Sequence, residues 1–93
     1  QTLLEALNFD PNVNVRLASV DALYLFYDYP GVKEGLVNAL TKQSSPLVQI
    51  ALINLLVEIR ERRAIDALRQ LIQNEKLNSR VKKRAELGLA QLS

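Results

Sequence analysis

Three segments of this chain align without a gap at a spacing of 33 residues: VNVRLASVDALYLFY (13–27), PLVQIALINLLVEIR (46–60) and SRVKKRAELGLAQLS (79–93). Val15, Val48 and Val81 form one column, and Ser19, Leu52 and Ala85 a second. Leu23, Leu56 and Leu89 form a third, and Phe26, Ile59 and Leu92 a fourth. Steps of four, four and three residues put all four columns on one helical face, which strand alternation does not do. A shorter apolar segment precedes each copy: LLEAL (3–7), LVNAL (36–40) and LRQLI (68–72). Asp10–Pro11–Asn12 and Ser44–Ser45–Pro46 supply helix-start signals, and Pro30–Gly31 and the charged turn RERR (60–63) separate the pairs. The chain therefore reads as three helical hairpins, about 2–28, 30–60 and 63–93, with long helices expected over 12–28, 46–60 and 79–92. Hairpins this short cannot bury their apolar faces alone and must stack. The large apolar residues of the four columns are expected to be nearly inaccessible.

A second stripe runs nearly opposite the first. It reads Val13, Leu17, Val20, Tyr24, Tyr27 in the first copy and Pro46, Ile50, Ile53, Val57, Arg60 in the second. In the third it reads Ser79, Lys83, Glu86, Ala90, Ser93. A surface buried against the next repeat must be apolar wherever a successor exists, and polar in the last copy. The stripe is thus expected to face forward along the stack, with KKRAELGLAQLS (82–93) as a C-terminal cap. Four of the five aromatic residues lie in YLFYDYPG (24–31). On this pattern Phe26 belongs to the core, Tyr24 is largely buried between the first two repeats, and Tyr27 is partly buried. An aromatic hot spot for a partner is the competing account. No polar cap precedes QTLLEAL, so any exposed apolar patch is expected at the N-terminal end.

At 93 residues and 48% apolar composition, the chain fits one domain with a core. No signal peptide is expected within these residues, and they hold no apolar run long enough to cross a membrane. It contains no Met, so it is expected to be a domain (1–93) excised from a longer protein. The absence of Cys and His removes thiol nucleophiles, disulfides, Cys/His zinc sites and the usual neutral-pH base. No cofactor, metal or catalytic residue is expected. Glu58, Glu61 and Asp28 could approach one another, but among so many bases they read as ion-pair partners. Charge is uneven: three Lys/Arg face five acids in residues 1–45, and nine face five in 46–93.

The run DPNVNVRLASVDAL (10–23) resembles the second-helix signature of HEAT repeats, with Asp10, Val15, Arg16, Ala18, Ala22 and Leu23 at matching positions. Later copies depart from it. Gln43 and Gln49 replace the Asp and Arg in the second, Lys82 replaces the Arg in the third, and Gly88 stands where Ala is usual. The resemblance covers nearly the whole chain and implies an all-α fold, a short right-handed α-α superhelix (α-solenoid) of three hairpins. It also implies a polar ladder between repeats, here Arg16, Gln49 and Lys82 with Asp10, Gln43 and Glu75 as candidate acceptors. ALNFDPNVNVRLASVDAL (6–23) followed by QSSPLVQIALINLLVEIRE (43–61) carries a narrower resemblance, to the C-terminal HEAT segment of bacterial membrane-anchored, anti-sigma-like zinc-finger proteins. It would put the domain on the periplasmic side of an inner membrane, with the cytoplasm as the alternative.

A stack of helix pairs offers an extended surface and no reaction chamber, so a non-catalytic protein-interaction or scaffold module is expected, by analogy of fold. The partner is a protein or peptide of unspecified identity, the domain itself makes no membrane contact, and a monomer is expected. The outward ridge of the long helices supplies the candidate partner residues: Asn14, Asp21, Asp28, Leu47, Asn54, Glu61, Arg80 and Leu87. An ordinary solvated face carrying stray leucines accounts for the same residues. Nucleic-acid binding through RERR (60–63) and RVKKR (80–84) is the alternative class. It is disfavoured because the aromatic residues lie at the opposite, acidic end and do not interleave with the bases. HEAT-like lyases for bilin pigments exist, but no catalytic residue carries over to this chain.

Overall fold

The computed structural model describes residues 2–93, which form six helices. They are α1 (Leu3–Phe9), α2 (Val13–Tyr24), α3 (Val32–Lys42), α4 (Pro46–Glu58), α5 (Ala64–Gln73) and α6 (Ser79–Leu92). Among the described residues there is no strand. α1, α3 and α5 stack in one layer and α2, α4 and α6 in the other, and each short helix packs on the long helix that follows it. Every substantial contact lies within a hairpin or between adjacent hairpins, as a linear stack requires.

The ends of these helices are set locally. Thr2 and Glu5 form a reciprocal capping box: the Thr2 hydroxyl accepts from the Glu5 amide and Glu5 accepts from the Thr2 amide, both at 3.1 Å. Asn12 caps α2, Ser45 caps α4 ahead of Pro46, and Asn78 caps α6. α4 ends in a Schellman turn: the Glu61 amide donates to the Leu56 carbonyl and the Arg60 amide to that of Val57. Arg60 takes the left-handed position this turn demands, at φ 58°. α2 is expected to run to residue 28 but stops at Tyr24. Its chain continues as a run of tight turns, with Leu25 donating to Ala22, Phe26 to Leu23 and Tyr29 to Phe26, and Pro30, which biases Tyr29 away from helix, closes that run.

The core follows the columns of the central repeat most closely. Val48, Leu52 and Leu56 are fully buried, as are Val81 and Ala85 in the third repeat, and Leu23 and Leu92 are nearly so. Ile59 and Leu89 are half-buried. Two expected core residues are not core. Val15 is 37% exposed and Phe26 is 39% exposed. Val15 has no repeat stacked on its outer side, while Val48 and Val81 do. Phe26 lines an apolar hollow together with Leu3 and Leu4 of the short helix α1, and this hollow stays open to solvent. Tyr24 also departs from expectation. It is 45% exposed, stacked on Tyr27 with ring centroids 6.2 Å apart, while Tyr27 is the half-buried member. The forward stripe follows the stacking argument at its centre, while Tyr24 in the first copy and Pro46 and Arg60 in the second stay exposed. Val20 and Ile53 are buried in the first two copies, and Ser79, Lys83, Glu86, Ala90 and Ser93 are all exposed in the third.

Two substitutions check this architecture by chemical denaturation. Leu56→Ala, at the centre of the stack, is expected to lower stability by about 2–5 kcal/mol because it leaves a cavity in the middle repeat. Arg60→Gly is expected to raise stability by roughly 1 kcal/mol, since glycine enters the left-handed region without the clash a Cβ suffers. An unchanged midpoint for the first, or a lowered one for the second, contradicts this account.

Candidate functional site

One polar cluster joins the first two repeats at the ends of α1 and α3. The Arg16 guanidinium donates to the Gln43 side-chain oxygen. The Gln43 amide nitrogen donates to the Leu7 carbonyl at 3.2 Å, and Gln49 donates to the Gln43 carbonyl at 2.9 Å. Gln43 and Gln49 are buried. This explains a departure from the repeat signature in chemical terms. Gln43 must accept from Arg16 and donate to Leu7, and a carboxylate could not do the second. Asp10 stays outside the cluster and accepts from the Asn12 amide at 2.9 Å, fixing the turn into α2. Lys82 and Glu75 are exposed at the far end of the column and take no part in it. Of the six ladder candidates, the structure brings together Arg16, Gln43 and Gln49.

Of the ridge candidates, Asn14, Asp21, Asp28, Leu47, Asn54, Arg80 and Leu87 are exposed. Glu61 is not. It is 8% exposed, and both its oxygens accept from the Arg63 guanidinium, at 2.8 Å from Nε and 3.0 Å from Nη2. The Arg63 amide adds a third bond at 3.0 Å. The Arg63 hydrogen bonds hold its carboxyl below the usual carboxylate range. Glu61 is on the ridge by spacing but inward by geometry, because the Schellman turn before it rotates the chain off the helical register. Asp28 pairs with Lys33 at 3.4 Å, and Lys33 also sits over the Tyr27 ring, 5.6 Å from its centroid. Asp28 and Glu61 are therefore each held by a base, whereas Glu58 takes part in no ion pair among the described residues.

Asp21 and Asn54 meet across a groove of about 440 Å³ between α2 and α4. Tyr24 and Glu58 complete its polar lining, and Val20, Ala51 and Leu55 form its floor. Asn54 is held there by Arg84 from the third repeat, which also donates to Gln91. The spacing of Asp21 and Asn54 on the ridge is visible in the sequence. The contribution of Tyr24 is not, since its stripe predicts burial. Glu58 reads from the sequence only as an ion-pair partner.

The sequence profile of HEAT repeats matches residues 1–90. The chain belongs to the HEAT-repeat family. No curated protein and no solved structure gives a significant match. HEAT repeats generally act as scaffolds for protein–protein contacts. This HEAT-repeat chain has no helix, among the described residues, that is long and apolar enough to cross a membrane.

The Glu61–Arg63 clasp makes its stability depend on pH. A carboxyl whose pKa is depressed by folding contributes stability that is full above the unfolded carboxylate range and is lost as pH falls through the folded value. Glu61→Gln is expected to cost about 1 kcal/mol at neutral pH, a modest figure because Arg63 is half in solvent. As pH falls through the folded value of Glu61, the difference in unfolding midpoint between variant and parent is expected to close. A gap that persists in acid would assign the loss to packing and not to charge.

Proposed function

We propose that this chain is a non-catalytic protein-interaction module that holds a basic segment of its partner in the groove between α2 and α4. The observation that carries this reading is the pairing of unneutralised acids with an available aromatic ring. Asp21 and Glu58 line opposite walls with no basic partner across the groove, and Tyr24 between them is 45% exposed. A Lys or Arg side chain laid in this groove meets carboxylates on both sides and a ring face of the kind Lys33 already covers on Tyr27. The apolar floor adds burial for the aliphatic stem of such a side chain.

The resemblance to the C-terminal segment of bacterial anti-sigma-like membrane proteins supports a finer reading. In it, the module is the extracytoplasmic part of a membrane regulator and its partner is another protein of that compartment. Nucleic acid fits less well. Arg80, Lys82 and Lys83 are exposed, but Arg84 is committed to Asn54 and Gln91, and no exposed ring lies among them.

Titration of a fluorescent Arg/Lys-rich peptide, with an acidic peptide and a single-stranded oligonucleotide as controls, tests the proposal. The basic peptide is expected to bind alone of the three and to weaken as salt is raised. Asp21→Lys combined with Glu58→Lys is expected to abolish binding, and Tyr24→Ala to weaken it about tenfold, with melting temperature nearly unchanged. A Tyr24→Ala protein that loses several kcal/mol of stability would return Tyr24 to the packing role. Preference for the oligonucleotide would overturn the proposal.

A further inference from the structure

We propose that the ligand of the α2–α4 groove also carries a carboxylate side chain, seated in the adjoining groove between α4 and α6 on the Arg60 guanidinium and the Gln91 amide. This seat rests on the reading of the first groove as the place of a basic side chain, and it narrows the partner to an extended segment of mixed charge. The second groove, of about 390 Å³, is lined by Val57, Glu58, Arg60 and Gln91. Glu58 lines both grooves, so the two adjoin across α4.

The charge of equivalent positions changes sign from one groove to the next. At a shift of 33 residues, Asp21 becomes Asn54, Tyr24 becomes Val57 and Glu58 becomes Gln91. Both carboxylates of the first groove are therefore amides one repeat later. Arginine enters at two positions, Arg84 where the preceding repeat has Ala51 and Arg60 where it has Tyr27. Arg84 is committed, since it donates to Asn54 and, at 3.2 Å, to Gln91. Arg60 is exposed and enters no ion pair among the described residues. The bond from Arg84 occupies the Gln91 side-chain oxygen and leaves its amide nitrogen to donate. A guanidinium beside an amide N–H is a donor set for a carboxylate.

A carboxylate suits this seat better than a phosphate. One guanidinium balances one negative charge, and Glu58 on the shared wall repels a dianion. Glu58 also couples the two seats. Alone it opposes an anion beside Arg60, but a basic side chain in the first groove neutralises it. The acid of the ligand therefore gains only in the company of the base. Packed helix axes lie roughly 10 Å apart, so successive grooves are offset by about the same distance. A polyproline-like segment rises ~3.1 Å per residue with about three residues per turn, which brings side chains at i and i+3 to one side at that spacing. The occupant is thus an extended segment with Arg or Lys three residues from Glu or Asp.

Short peptides with one Arg in a Pro/Ser background, titrated into the isotope-labelled chain and followed by amide chemical shifts, test the seat. Glu placed three residues after or before the Arg is expected to tighten binding about fivefold over Gln at the same place, in one of the two orders. The tighter order sets the direction of the ligand along the stack. A peptide with Glu and no Arg is expected not to bind. Arg60→Gly is expected to erase the preference for Glu while the Gln peptide binds as before. Glycine is favoured at that left-handed position, so unfolding does not explain the loss. Gln91→Glu is expected to erase the preference as well, which keeps the test decisive should Arg60→Gly alter the end of α4. Equal binding of the Glu and Gln peptides in both orders, or a preference that survives both variants, overturns the carboxylate seat and leaves the basic groove standing. A phosphoserine peptide that binds tighter than the Glu peptide would assign the seat to phosphate and overturn it equally. Failure of every Arg peptide to bind would overturn the groove reading and the seat with it.

Discussion

The burial of α4 on both sides is the constraint from which the other elements take their places. Val48, Leu52, Ile53, Leu55 and Leu56 go round this helix, and all are buried. A helix apolar on opposite faces has no stable place at a surface. It must lie between two others, and α2 and α6 are those neighbours. Each fully buried leucine contributes on the order of 1.5–3 kcal/mol of transfer free energy, so the central helix supplies the largest concentrated share of the driving force. The first and third hairpins have one covered side each.

Glycine and glutamine refine that stack in ways that plain hydrophobicity does not. Gly35 faces Leu4 so closely that a Cβ would stand 2.7 Å from the leucine side chain, which sets the spacing of α1 and α3. Gly88 does the same for α6 against α4. Gln43 serves at the corner because one side chain there must both accept and donate. These positions look like degeneration of a repeat signature. In the structure each is a solution to a close approach or to a pair of unlike hydrogen-bond partners.

The six helices, their pairing and the polar forward face of the last repeat were legible because each rests on periodicity, and periodicity is a property of sequence. Phe26, Val15 and Tyr24 were misread for a common reason. Column equivalence assumes that equivalent residues have equivalent neighbours, and among the described residues no helix packs on the outer side of the first repeat, whose short helix has 7 residues. Glu61 was misplaced by another mechanism: a left-handed residue at Arg60 shifts the chain off the helical phase that defined the ridge. The groove between α2 and α4 could be half anticipated, from Asp21 and Asn54, because a ridge is read along one helix. A groove also needs two facing walls, and Tyr24, beside Asp21 on α2, and Glu58, beside Asn54 on α4, come together only through the stacking of those helices.

Because substantial contacts reach only from one hairpin to the next, the molecule has a gradient of local stability along its length. Opening the first hairpin breaks one interface and leaves the other two hairpins packed. The same holds for the third, whereas the second cannot open without releasing both. The groove between α2 and α4 straddles the first of these interfaces. Its two walls belong to units that can separate, so a ligand bridging them also acts as a clamp on the fraying of α1 and α2. Occupancy and local order of the N-terminal hairpin are therefore two readings of a single equilibrium, and either one biases the other by the same free energy.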